Sequence, residues 1–145
     1  MDERKRILVV DDDVLILDLF RMALEDEGYI VETAFTGEQA LKAMRVTIFD
    51  LIILDVFLPD IKGDSFVEKI REKNNDVRII LITGHETYAR CVDVLKLGIS
   101  EILIKPIKLN ELVNQVKNVL ETPIFRHSNV NAWFESRKWA TSDYP

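Results

Sequence analysis

Apolar residues in this chain gather in short unbroken runs, and four of those runs end on a polar residue. Ile7-Leu8-Val9-Val10 leads into Asp11-Asp12-Asp13, and Leu51-Ile52-Ile53-Leu54 into Asp55. Ile79-Ile80-Leu81-Ile82 leads into Thr83, and Ile102-Leu103-Ile104 into Lys105. Short, β-branched, continuously apolar runs suit strands covered on both faces, as in a parallel sheet. Tyr29 to Ala34, centred on Ile30 and Val31, reads as a further short strand.

Helical patterns fill the gaps. Ile16, Leu17, Phe20 and Leu24 keep helical spacing, and Gly28 stands where a glycine ends a helix. Gly37 to Arg45 carries Ala40, Leu41 and Met44 on one face. A third helix is expected through Phe66, Val67 and Ile70, capped by Asp64 or Ser65. A fourth is predicted from about Glu86 to Lys96, with Val92 and Leu95 inward and Gly98 as its stop. A fifth starts near Lys108, with Leu109, Leu112, Val113, Val116 and Leu120 as its apolar stripe. Strands alternating strictly with helices predict an α/β, doubly wound parallel sheet with right-handed crossovers.

Parallel strands would bring all four polar ends to one edge, where open α/β sheets place ligands. Carboxylates crowded there raise one another's pKa and cost stability unless a cation joins them. Mg²⁺ takes oxygen ligands, commonly one or two carboxylates with water, and Asp11, Asp12 and Asp55 offer such a half-shell. The plainer role for Asp11 to Asp13 is to cap the first helix, and Asp13 fits it best. Asp55 has the position of a nucleophile: a carboxylate can attack phosphorus and form an acyl phosphate. The plainer reading is a solvated loop aspartate. Lys105 supplies a cation for Asp55 and for a phosphoryl oxygen, on backbone held extended by Pro106. Otherwise it is an ordinary exposed lysine. The Thr83 hydroxyl can donate to a phosphoryl oxygen, although threonine is common in strands. His85 reads as exposed and is not taken as a base.

Composition narrows the class. The chain has 145 residues, enough for one domain, with 48% hydrophobic and 30% charged residues. Net charge −6 disfavours nonspecific nucleic-acid binding. The single cysteine, Cys91, excludes an intrachain disulfide and suits a reducing, cytoplasmic setting. No apolar run is long enough for a membrane span, so no membrane insertion is expected.

These segments, with Asp50 ahead of the second run, Leu58-Pro59-Asp60 and Gly63 after it, Gly84 after Thr83, Leu97-Gly98-Ile99-Ser100 and Lys105-Pro106, together resemble the receiver domain of response regulators in bacterial two-component systems. The resemblance covers about residues 4 to 121, so 1–121 is expected to be the receiver domain. It implies a flavodoxin-like fold with five parallel strands in order 2-1-3-4-5 and five helices. It implies that Asp55 accepts a phosphoryl group from a histidine kinase or histidine phosphotransfer protein. Mg²⁺, with Mn²⁺ as a substitute, would be held by Asp11, Asp12, Asp55 and the backbone carbonyl of Phe57. Thr83 and Lys105 would bind the phosphoryl oxygens, and the Lys105–Pro106 bond would be cis. The output is expected to be a downstream protein or a homodimer, through the face of the fourth helix, fifth strand and fifth helix. Such a chain is no enzyme beyond its own phosphorylation and dephosphorylation. The chain departs from the family at Ile102, where an aromatic often stands three residues before the lysine.

Two other functions fit the fold class. An aspartate-nucleophile phosphatase needs a second aspartate two residues after the first, and here that residue is Phe57. A phosphorylation-independent interaction module would not need Asp11, Asp12, Asp55, Thr83 and Lys105 together. Residues 122–145 have no strand–helix alternation but hold Phe125, Trp133, Phe134, Trp139 and Tyr144. They read as an aromatic tail rather than a domain: a docking segment, a cover for the domain's own surface, the start of a longer protein, or a mostly disordered end. No nucleic-acid-binding module fits in them.

Overall fold

The computed structural model describes residues 3–73, 76–84 and 98–122. Strands β1 (Arg6–Val10), β2 (Ile30–Ala34), β3 (Leu51–Asp55), β4 (Arg78–Thr83) and β5 (Glu101–Ile104) form one sheet. All four pairings are parallel, and the order is β2-β1-β3-β4-β5. Helices α1 (Val14–Asp26), α2 (Gly37–Val46) and α3 (Gly63–Lys73) follow β1, β2 and β3, and α4 (Leu109–Glu121) follows β5. This is the doubly wound, flavodoxin-like sheet expected. The helix expected over 86–96 and the tail beyond residue 122 lie outside the described residues, as do His85 and Cys91. Among the described residues no helix is long and apolar enough to cross a membrane.

The unbroken apolar runs follow from two buried faces. Alternation along each strand sends Leu8, Val10, Ile52, Leu54, Ile79, Leu81 and Ile102 to one face, where Ala40 of α2 and Phe66, Val67 and Ile70 of α3 cover them. Ile7, Val9, Leu51, Ile53, Ile80, Ile82 and Leu103 go to the other, against Leu17, Phe20 and Leu24 of α1 and Leu112, Val116 and Val119 of α4. Each such side chain, fully buried, contributes about 1.5–3 kcal/mol.

Both ends of α1 and the start of α2 follow local chemistry. The Asp13 carboxylate accepts from the Leu15 amide at 2.9 Å and starts α1. At its other end Gly28 has φ +96°, and the Gly28 and Tyr29 amides donate back to the Glu25 and Leu24 carbonyls. That double link needs a left-handed residue, which glycine adopts without strain. Thr36 caps α2 by accepting from the Gln39 amide. The expected cap of α3 was misplaced. The helix begins at Gly63, and Asp64 and Ser65 lie inside its first turn, with the Phe66 amide already bonded to the Lys62 carbonyl. The early start is set by packing: a Cβ on Gly63 would sit 2.9 Å from the Val56 carbonyl oxygen and 3.1 Å from its Cα. Only glycine lets the helix approach the end of β3 so closely. Gly63→Ala is therefore expected to destabilise the fold by about 1–3 kcal/mol, the usual range for overpacking, read as a lower urea midpoint with an unchanged slope. An unchanged midpoint would show that the backbone gives way freely at this contact.

Candidate functional site

Three of the four strand-end groups meet at the carboxyl edge of the sheet. Strand alternation continued by one residue explains why. Asp11 keeps the parity of Ile7 and Val9, Asp55 that of Leu51 and Ile53, and Lys105 that of Leu103, so all three project toward the α1/α4 side. One oxygen from each of Asp11, Asp12 and Asp55 lies within 4.8 Å of the others. Lys105 Nζ donates to Asp55 Oδ2 at 2.6 Å and stands 3.7 Å from Asp11 Oδ2. Asp11 and Asp55 are buried at 1% and 5% exposure, whereas Asp12 is exposed. The Lys105–Pro106 bond is cis.

Backbone amides hold both buried carboxylates. Asp55 Oδ1 accepts from the Phe57 amide at 2.8 Å, and Asp11 Oδ1 from the Asp13 amide at 2.9 Å. Asp11 Oδ2 is buried and accepts no hydrogen bond. A buried carboxylate oxygen left this way is costly, and a cation between the three acids would satisfy it. The donor set, all carboxylate oxygen with one acid open to water, suits a hard divalent ion that keeps part of its hydration shell. Lys105 counters part of the negative charge. Burial alone would weaken its ammonium, but the hydrogen bond and charge of Asp55, with Asp11 and Asp12, raise its pKa overall. Its contribution to stability is thus complete at neutral pH and is lost only as pH rises beyond the lysine range.

Thr83 stands apart. It is buried at the end of β4, and its parity with Ile79 and Leu81 turns it toward the α2/α3 side. Its hydroxyl donates to the Gly84 carbonyl at 3.2 Å, while its own carbonyl receives the Lys105 amide at 2.7 Å. Phe57, two residues after Asp55, is half-exposed and pairs with Lys62 across the β3–α3 loop.

Two acids that carry part of the resemblance, Asp50 and Asp60, make long-range contacts that the sequence does not announce. Asp50 accepts from the Arg6 amide and ties the start of β3 to β1. Asp60 accepts from the Gly37 and Glu38 amides at 2.9 and 3.0 Å, across 23 and 22 residues. No local pattern points to either contact.

The sheet order and the acidic edge pocket define a flavodoxin-like α/β domain with a site for a cation at the carboxyl edge of its strands. The family model described as the response regulator receiver domain matches residues 7–117, and the chain belongs to that family, the phosphorelay module of two-component signalling. It is 36% identical over 111 residues to the alginate biosynthesis transcriptional regulatory protein AlgB of Pseudomonas putida, covering 77% of this chain and 25% of that one. It is 31% identical over 124 residues to the transcriptional regulatory protein BasR of Escherichia coli, covering 86% and 54%. The chain thus spans about a quarter to half the length of these relatives. Among solved structures, a CheY-like receiver domain protein from Methanospirillum hungatei superposes with TM-score 0.78 at 34% identity, covering 82% of this chain and 95% of that one. The receiver domain of NtrX from Brucella abortus gives 0.76 at 32%, covering 81% and 99%.

The pocket's electrostatics have a measurable consequence. Burial first, and then the charge of Asp55, push the Asp11 carboxyl up to about 6, against the Asp13 amide and Lys105, which pull it down. An unfolded aspartate titrates near 3.9. The folded state therefore holds an extra proton between about pH 4 and 6, and the cation-free protein loses stability as pH rises through that window. Asp11→Asn is expected to raise the melting temperature at about pH 8 in a chelator, with the gain fading toward about pH 4. A divalent cation bound here would compete with that proton, so its stabilisation would grow as pH passes about 6, and Asp11→Asn would remove most of it. A lower melting temperature for the variant at pH 8 without metal would contradict the burial cost assigned to Asp11.

Proposed function

We propose that this chain is a phosphorylation-controlled switch in which Asp55 accepts a phosphoryl group from a histidine kinase or histidine phosphotransfer protein. The observation that carries the reading is the Lys105–Asp55 pair beside an unsatisfied Asp11 oxygen. It leaves a buried carboxylate paired with an ammonium, oriented and next to a place for a cation. In the transfer, an Asp55 oxygen forms a bond to phosphorus as the P–N bond of the donor's phosphohistidine breaks. The electron pair leaves with the imidazole nitrogen. Asp11, Asp12, Asp55 and the Phe57 carbonyl would hold Mg²⁺, or Mn²⁺ in its place, which would supply positive charge to offset that on the phosphoryl oxygens. The Phe57 amide keeps the carboxylate aimed, and burial keeps competing water away. After transfer Lys105 exchanges its carboxylate partner for a phosphoryl oxygen, and the Thr83 hydroxyl turns from Gly84 to a second one. Hydrolysis of the acyl phosphate resets the switch, and beyond this the chain turns over no substrate.

The output follows from the movement of Thr83, which biases the balance between two states. The receiving surface is the fourth helix expected from the sequence with β5 and α4, docking a downstream protein or a second copy. The domain itself comprises residues 1–121, with 122–145 as its tail. Nucleic acid is not contacted directly, and the setting is cytoplasmic.

Asp55→Asn is expected to abolish labelling by a small acyl-phosphate donor in Mg²⁺, and labelling that survives would remove Asp55 from its role. Phe57 also has a test of its own. Its bulk and its place two residues after Asp55, with its amide bonded to that carboxylate, support a role in keeping water from the acyl phosphate. Phe57→Asn should shorten the lifetime of the phosphorylated form, and an unchanged lifetime would show that the ring does not shield it.

A further inference from the structure

The loop between β3 and α3 is fastened to the rest of the protein at a point away from the pocket. Asp60 Oδ1 accepts from the Gly37 amide at 2.9 Å and Oδ2 from the Glu38 amide at 3.0 Å, so one carboxylate spans the first two amides of α2. Burial works against its charge, but these amides and its own hold its pKa below the usual carboxylate value. Beside it, a Cβ on Gly37 would collide with the Ile61 side chain and come within 3.0 Å of the Phe66 ring. The helix end and the loop are therefore in close contact as well as hydrogen-bonded. Within the loop, Phe57 pairs with Lys62, and Gly63 packs on the Val56 backbone. The segment that follows Asp55 is thus tied back on itself and then anchored to α2.

We propose that Asp60 is a positioning residue for the Asp55 site: its clamp on α2 fixes the 56–62 loop and, through it, the amide and carbonyl of Phe57. The amide of Phe57 aims Asp55 at 2.8 Å, so loop drift reaches the carboxylate directly. The proposal rests on the reading of Asp55 and the Phe57 carbonyl given above. Asp60 itself touches no reacting group.

The end of α2 supplies a control. Thr36 caps the same helix through the Gln39 amide but belongs to the β2 side, not to the loop. Asp60→Ala and Thr36→Ala both remove a cap, so both are expected to lower the melting temperature. Only Asp60→Ala should weaken Mg²⁺ binding, measured by calorimetry on the full chain, by about tenfold, the lower end for loss of a ligand-supporting contact. It should also slow labelling by a small acyl-phosphate donor at saturating Mg²⁺. Asp60→Asn keeps one acceptor oxygen and should recover part of both losses. If Asp60→Ala and Thr36→Ala change Mg²⁺ affinity and labelling equally, or neither changes them, Asp60 is only a helix cap and the proposal fails. Failure of the site reading looks different: wild type would bind no Mg²⁺, or Asp55→Asn would still label.

Discussion

Two buried carboxylates and one ammonium at the edge of a parallel sheet set the terms for the rest of this structure. Asp11 and Asp55 are almost wholly removed from water, and burial of like charges opposes folding. Lys105 relieves Asp55 at 2.6 Å but reaches Asp11 only at 3.7 Å, and one Asp11 oxygen is left without a hydrogen bond. The pocket is therefore incompletely neutralised, and that shortfall makes it receptive to a divalent cation. A site satisfied by its own side chains would have no such appetite. The stability it forgoes is supplied by the apolar clusters on the two faces of the sheet, far larger than the pocket they support.

The convergence depends on register more than on any one residue. Asp55 pairs with Ile82 in the β3–β4 ladder, and the Lys105 amide closes on the Thr83 carbonyl just beyond the β4–β5 ladder. A slip of one residue in β5 would turn Lys105 to the opposite side of the sheet and place Leu103 where Ile102 packs. The apolar alternation that builds the two clusters thus also aims the polar ends. Core packing and pocket geometry are consequences of one pattern.

That pattern is why much of the fold and site was legible in the sequence. Strands buried on both faces announce themselves as continuous apolar runs, and the polar residues that end three of those runs meet at the sheet edge. Asp13 as a cap and Gly28 as a helix stop were legible because capping is local. The start of α3 was not, since Gly63 was chosen by contact with Val56 rather than by the caps that follow it. Asp60 and Asp50 were equally opaque, because their partners lie about twenty residues or more away and a lone acid in a loop carries no sign of what it will meet. Arg71, which donates to the Gly98 carbonyl 27 residues on, is a third such long-range tie.

The split in parity between the pocket residues bears on how a signal leaves it. Asp11, Asp55 and Lys105 face the α1/α4 side, but Thr83 faces the other, in the row that holds Leu81 and, on β5, Ile102 and Ile104. Any turn of the Thr83 side chain is felt first by that row. Ile102 is 2% exposed and already part of the cluster with Phe66, Leu81 and Ile99. A branched aliphatic side chain so enclosed has few rotamers, and it cannot move between core and surface as a larger, edge-lying ring can. Among the described residues, a movement of Thr83 would reach β5 by repacking within this cluster or by the backbone link from the Lys105 amide to the Thr83 carbonyl. The second joins the two groups that would sense a phosphoryl oxygen, and it needs no side chain to change place.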